Sequence, residues 1–287
     1  MELQPLEQEP RRRIPWDGGR AILFYIFTAV TSLLLGALLF LPVGFYGAVL
    51  ISEILAFGLI PFALSYVFDT GWSDWLGPAT IGRAFWPLAL LAVASFTVAQ
   101  SNLPVLIDRF FPIPEGQLLV FEQYLTAESP WQLIGIFIVA AIVPAICEEI
   151  AFRGVIQRGL RNTYGARHAV VWTGLLFAVL HLNPWNFIGL WSLGCLLGYV
   201  TERVGSIRPA ILLHMLNNAF ALAVFYVQGR GAWEERPEFI AWYWTVLAGI
   251  ILILSLYWLH KSTEPERSSD VSDDSADVWI PDHSTGR

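Results

Sequence analysis

Charge is scarce in this chain. Only 14% of its 287 residues are Asp, Glu, Lys or Arg, while 55% are hydrophobic; an average soluble domain carries about 25% charged residues. That deficit excludes an ordinary water-soluble domain and points to a chain dissolved in lipid. Cysteine is equally sparse. Cys147 and Cys195 both lie in apolar stretches with no CxxC or zinc-ribbon spacing, and read as small buried hydrophobes. No basic patch is present, which argues against nucleic acid as a partner. There is no secretory cleavage pattern either: the run from Ala21 to Leu41 is too long for a signal-peptide core and lacks an A-x-A site, so it is expected to stay as an anchor. The net charge of −7 is concentrated in the segment after Lys261, rich in Ser and Asp with almost nothing to bury, and read as disordered.

What remains is long apolar runs. About 20 apolar residues cross a bilayer as helix, and that measure selects 21–41, 43–67, 85–101, 132–157, 168–183, 187–202, 208–228 and 241–259. The expected fold is all-α, a polytopic transmembrane bundle of about eight spans. Pro42 and Gly44 divide the first pair; "NPWN" divides the fifth from the sixth. Five regions follow: a cytoplasmic N-terminal tail (1–20), an N-terminal membrane region with an outer interfacial segment at 113–130 (21–130), a core (131–228), an outer loop with the last span (229–261), and the acidic tail (262–287). Arg11, Arg12, Arg13 and Arg20 precede the first span, and alternation places Arg83, Arg158, Arg161, Arg167, Arg203, Arg208 and Lys261 on the same side. By the positive-inside rule both termini face the cytoplasm, as in a multi-pass protein of the cell membrane. Trp16, Trp86, Trp131, Trp185, Trp242 and Trp258 sit near span ends, as an aromatic belt requires.

Against this background a few polar residues stand out, because an ionisable group at the centre of a span costs roughly 2.5–3.5 kcal/mol on insertion scales. They are Glu148, Glu149 and Arg153 in "CEEIAFRG", His181 in "FAVLH", and His214 with Asn217 and Asn218 in "HMLNN". Nothing but Pro144 and Gly154 interrupts a helix between Val143 and Arg158, so the carboxylates lie well inside the bilayer at depths the two histidines share loosely. Glu149 and Arg153, four apart, can form an ion pair. Glu148 is turned by about 100° from Glu149 and is freer to face the histidines, where a carboxylate suits general-base work on water. His214 and Asn218, also four apart, can donate together to an oxyanion, and Phe177 can wall the pocket. Alone, each motif is what a solvated ion pair or a structural histidine presents; together, inside spans, they define a shared polar site. His168, His260 and His283 read as structural or solvated. Glu53 is mid-span and reads as a buried, hydrogen-bonded carboxylate.

"EEIAFR" (148–153), "FAVLH" (177–181) and "HMLNN" (214–218) resemble the EExxxR, FxxxH and HxxxN/D motifs of the CPBP intramembrane proteases, which include the type II CAAX prenyl endopeptidases and Abi-type proteins. The resemblance spans roughly 130–225. It implies an endopeptidase in which Glu148 and His181 activate water, His214 and Asn218 stabilise the oxyanion, and Glu149 and Arg153 support the site. Implied partners are membrane lipid and a peptide or prenylated protein substrate. Two chemistries stay open. A divalent metal such as zinc would take Glu148, His181 and His214 with one open position; a metal-free glutamate mechanism uses the same residues. No HExxH helix is present, and the metal-free chemistry is the reading preferred here. The alternatives are a proton-coupled transporter, since carboxylate–histidine groups also relay protons, and a non-catalytic membrane scaffold or immunity factor that keeps the pocket.

Overall fold

The computed structural model describes residues 17–67, 76–77, 81–83, 85–228 and 239–262. Most of both expected tails falls outside these residues, with Arg11, Arg12, Arg13, Trp16, Arg230, Arg236 and His283. Among the described residues no strand occurs and the fold is all helix, as the apolar runs require.

Helix α1 (Gly18–Glu53) starts at Asp17, whose side chain accepts from the Arg20 amide, and leads through a π-helical stretch, Ile54–Leu59, into α2 (Ile60–Val67). A single rod over Gly18–Leu64, 47 residues, would measure about 70 Å at 1.5 Å per residue, more than twice the hydrocarbon thickness. It is not a single rod. Gly44 sits at φ 72°, ψ 177°, a conformation open to glycine, just after Pro42, which has no amide hydrogen to give the helix. The helix is broken at the residues where the sequence placed the division, Pro42 and Gly44.

Helices α3 (Phe85–Gln100) and α4 (Asn102–Phe110) follow, then the short α5 (Glu115–Leu125) in the segment expected to be interfacial. Next comes an uninterrupted helical rod, Pro130–Tyr164, made of α6 (Pro130–Phe137), α7 (Val143–Glu149) and α8 (Gln157–Tyr164). The joints between them, Ile138–Ile142 and Ile150–Ile156, are π-helical. Ser129 caps the rod's start and Gly165, at φ 80°, ends it. The charges of "CEEIAFRG" thus lie in mid-rod, as expected; the wide turn before the glutamates and the one that holds Arg153 were not.

Helices α9 (Ala166–Leu180) and α10 (Phe187–Val204) are the expected fifth and sixth spans. Neither is among the five helices long and apolar enough to cross by themselves. At 1.5 Å per residue they measure about 22 and 27 Å. Their ends are set by protein contact instead, for they pack tightly on each other. A Cβ added to Gly194 would lie 2.6 Å from the Gly174 Cα, so the two backbones touch where both residues are glycine. Helices α11 (Arg208–Gln228) and α12 (Trp242–Ser262) complete the bundle, with α12 laid along α3.

The outer surface is apolar: Leu23, Phe27, Leu34, Leu38 and Leu41 on α1 and Ile250, Ile253 and Leu254 on α12 are all exposed. In water such faces would aggregate; in a bilayer they meet acyl chains. The core gathers around the middle of the rod, where Phe57, Phe152, Phe177, Ile156, Leu197 and Leu213 are fully buried. Trp185 departs from the aromatic-belt expectation. It is buried, stacks on Phe111 at 5.5 Å, and donates its indole N–H to the Phe111 carbonyl, closing the α4 end onto the α9–α10 connection.

Candidate functional site

Arg153 is the largest fully buried side chain. A guanidinium in such a place must have every available charge and carbonyl turned towards it. Its Nη1 donates to Glu149 Oε1 at 2.6 Å, its Nη2 donates to the Gly194 carbonyl at 2.9 Å, and its face lies 5.0 Å from the Phe177 ring centroid.

Glu149 does more than the sequence assigned to it. The same oxygen that accepts from Arg153 accepts from His214 Nδ1 at 2.9 Å, and both side chains are essentially without exposure. The expected division, Glu149 for Arg153 and Glu148 for the histidines, therefore holds only in part: Glu149 orients His214. Glu148 Oε2 has no hydrogen-bond partner and lies 3.8 Å from His214 Nε2. The result is a buried row, Arg153–Glu149–His214–Glu148, joining α7 and its π-helical continuation to α11.

His181 stands apart from this row. It is the C-terminal cap of α9 and is exposed, and its Nδ1 lies 2.8 Å from the Phe177 carbonyl. A carbonyl only accepts, so Nδ1 carries the hydrogen and a neutral His181 presents the lone pair of Nε2. Leu182, next in the chain, is the one described non-glycine residue with positive φ, at 48°. It turns the chain away directly after the histidine. Phe177 links the two histidines, with its ring 4.5 Å from His181 and 5.5 Å from His214, and so walls the pocket as its position one turn before His181 suggested.

Asn218 is half-buried, and its Nδ2 donates to the Ala140 carbonyl at 3.3 Å. That carbonyl belongs to the first π-helical stretch of the rod, where wide turns loosen the intrahelical pattern and tend to mark functional positions. Glu53 reaches the same region from α1. Its carboxylate is close enough to interact electrostatically with Glu148 and Cys147, and its Oε2 has no hydrogen-bond partner, contrary to the hydrogen-bonded role expected. Among the described residues no group of three His, Cys, Asp or Glu side chains stands close enough to hold a metal ion. Cys147 and Cys195 are free thiols, Cys147 buried, as the sequence suggested. His168 Nδ1 pairs with the Tyr164 carbonyl, and His260 with Tyr199 at 3.0 Å, both exposed.

Sequence reasoning missed the continuation of the site along the rod. Gln157 is buried and its Nε2 donates to the Gly198 carbonyl and to Glu202 Oε1, both at 3.0 Å. Glu202 in turn pairs with Arg161 at 3.3 Å. Residues 149, 153, 157 and 161 make one polar stripe, and 194, 198 and 202 make its partner, with the Gly194 and Gly198 carbonyls accepting from Arg153 and Gln157. The signal was present as a four-residue spacing in both segments.

A membrane helix bundle that encloses paired carboxylates, an arginine and a carboxylate-held histidine defines an intramembrane site with the groups of a hydrolase. Residues 130–220 match the family model for Rce1-like type II CAAX prenyl endopeptidases. The match covers about a third of the chain, includes all three motifs, and makes this segment similar to the CPBP/CAAX proteases. It supports an intramembrane CAAX-type endopeptidase as the class of activity. No curated protein and no solved structure matches the chain.

Proposed function

We propose that the protein is an intramembrane endopeptidase that hydrolyses a peptide bond with water activated by Glu148 and His181, on prenylated CAAX-type or other membrane-associated peptides. The observation that carries this reading is the buried row Arg153–Glu149–His214–Glu148, which leaves one carboxylate oxygen of Glu148 without a partner. A carboxylate oxygen without a hydrogen-bond partner in a dry pocket is placed to take a proton from water. The hydroxide so formed adds to the scissile carbonyl, with the Nε2 lone pair of His181 accepting the second hydrogen bond of that water. Asn218 Nδ2 has one hydrogen on the Ala140 carbonyl and a second for the developing oxyanion. His214, its Nδ1–H committed to the Glu149 carboxylate, joins Asn218 at the oxyanion through Nε2–H when both ring nitrogens carry hydrogen, with Glu149 as its counter-charge. Collapse of the tetrahedral species breaks the C–N bond as the proton held by Glu148 passes to the leaving nitrogen. The products are a carboxylic acid and an amine.

The test is cleavage by purified protein of a panel of prenylated and unmodified peptides, comparing wild type with Glu148→Ala and His181→Ala. Loss of cleavage in both is expected, and turnover by wild type should survive metal chelation. Cleavage that persists in both variants refutes the assignment of the pair. Ion flux in proteoliposomes without cleavage would establish the transporter alternative.

A further inference from the structure

Asn218 is held by a chain of polar groups that begins on a different helix. Thr97, on α3, has its hydroxyl 3.3 Å from Asn217 Oδ1; Asn217 Nδ2 lies 3.4 Å from Asn218 Oδ1; and Asn218 Nδ2 lies 3.3 Å from the Ala140 carbonyl. The far end fixes the direction of the whole chain. The Ala140 carbonyl can only accept, so Asn218 turns its amino group to it and its oxygen to Asn217. Asn217 must then present its own amino group to Asn218 and its oxygen to Thr97, where a hydroxyl hydrogen is the one group able to meet it. The Thr97 hydroxyl also lies 3.0 Å from the Val93 carbonyl, so its single hydrogen is shared between the two acceptors. Asn217 itself is buried at 9% exposure.

The geometry points to Thr97 and Asn217 as positioning residues that hold the Asn218 rotamer in the orientation set by its bond to the Ala140 carbonyl, so that its second amino hydrogen is kept for the pocket. This rests on the proposed oxyanion role of Asn218. Without that support the single 3.3 Å bond to the Ala140 carbonyl would be left to hold the Asn218 rotamer. Three aligned dipoles in a poorly solvated setting also polarise one another, which strengthens the terminal donor. Neither residue touches the reacting atoms on this account, and Thr97 belongs to no motif of the site. The bland alternative is that the chain merely satisfies polar groups inside the bilayer, as interhelical hydrogen bonds of this kind often do.

The experiment compares purified wild type, Thr97→Val and Thr97→Ser in nanodiscs. Valine keeps the shape and removes the donor; serine keeps the donor. Outer positioning groups are typically worth 10–100-fold, so Thr97→Val is expected to lower kcat about 10-fold with KM changed less than about 2-fold, and Thr97→Ser to restore kcat. A structural role alone would lower the melting temperature in Thr97→Val without this split. Unchanged kcat in folded Thr97→Val, or a loss that serine does not rescue, overturns the proposal. A second readout is independent of proteolysis: the side-chain amide resonances of Asn217 and Asn218 in ¹⁵N-Asn-labelled protein. Both should shift in Thr97→Val, and absence of any shift at Asn218 overturns the positioning role. Shifts in a protein that cleaves no peptide would retain the hydrogen-bond chain and reject the protease reading.

Discussion

Arg153 offers the sharpest energetic test of the site. Replacing it with Met keeps much of the volume but strands Glu149, which is itself fully buried. The arginine makes two charge-assisted hydrogen bonds, to Glu149 and to the Gly194 carbonyl. At about 1.5–3 kcal/mol each, their loss agrees with the roughly 3–5 kcal/mol measured when one partner of a buried ion pair is removed. Arg153→Met should therefore destabilise the fold by about 3–5 kcal/mol. His214 still faces Glu149 and will offset part of the stranded charge. Adding Glu149→Gln removes that charge, so the double variant should be more stable than Arg153→Met by at least about 1 kcal/mol, since most of the penalty lies in the uncompensated ion rather than in lost attraction. Equilibrium unfolding in bicelles measures all three proteins without reference to activity. A loss below about 1 kcal/mol for Arg153→Met, or no relief from Glu149→Gln, would refute the account of Arg153 as the counter-ion that makes the buried carboxylate tolerable.

Gly194→Ala should cost about 1–3 kcal/mol through overpacking, because its Cβ would meet the Gly174 Cα at 2.6 Å; thermal melts in detergent measure it, and an unchanged melting temperature would contradict the close crossing of α9 and α10. The hydroxyls of Tyr46 and Tyr226, from α1 and α11, bond to the consecutive carbonyls of Tyr124 and Leu125 at the end of α5. At about 0.6 kcal/mol for an average interhelical hydrogen bond in a membrane protein, Tyr226→Phe should speed amide exchange at the α5 C-terminus about threefold while leaving the rod unchanged. Equal protection in both proteins would show that α5 is held by other contacts.

Much of this architecture could be read from patterns of solubility. Apolar length located the rod and the last two helices, because lipid leaves a chain few options besides helix, and Pro42 with Gly44 located the α1 break. The polar residues of "CEEIAFRG" and "HMLNN" could be read for the same reason: their placement is expensive. Two things were hidden. The lengths of α9 and α10 follow from burial against other helices, which an apolar count cannot distinguish from burial in lipid. The role of Glu149 was hidden because spacing on one helix shows its own neighbours, Arg153 among them, and not the His214 that another helix delivers. Thr97 was hidden twice over, since a threonine in a span is ordinary and its partner is supplied from α11. By contrast the stripe through Gln157 was in plain view as a repeat of four, overlooked because Gln carries no charge.

The two wide turns that flank α7 have a bearing on how this segment tolerates change in length. A π turn holds one more residue than an α turn over nearly the same rise, so the rod between Pro130 and Tyr164 behaves as a helix that has taken up surplus residues on both sides of its glutamates. Deleting a residue from Ile138–Ile142 would let that stretch relax to ordinary helix with the segments on either side kept in phase, and would draw the Ala140 carbonyl back into intrahelical bonding. The bundle could close normally and yet present the Ala140 carbonyl to the wrong neighbour. In this rod, length and phase are separately adjustable, and the glutamates sit at the one place where both are held.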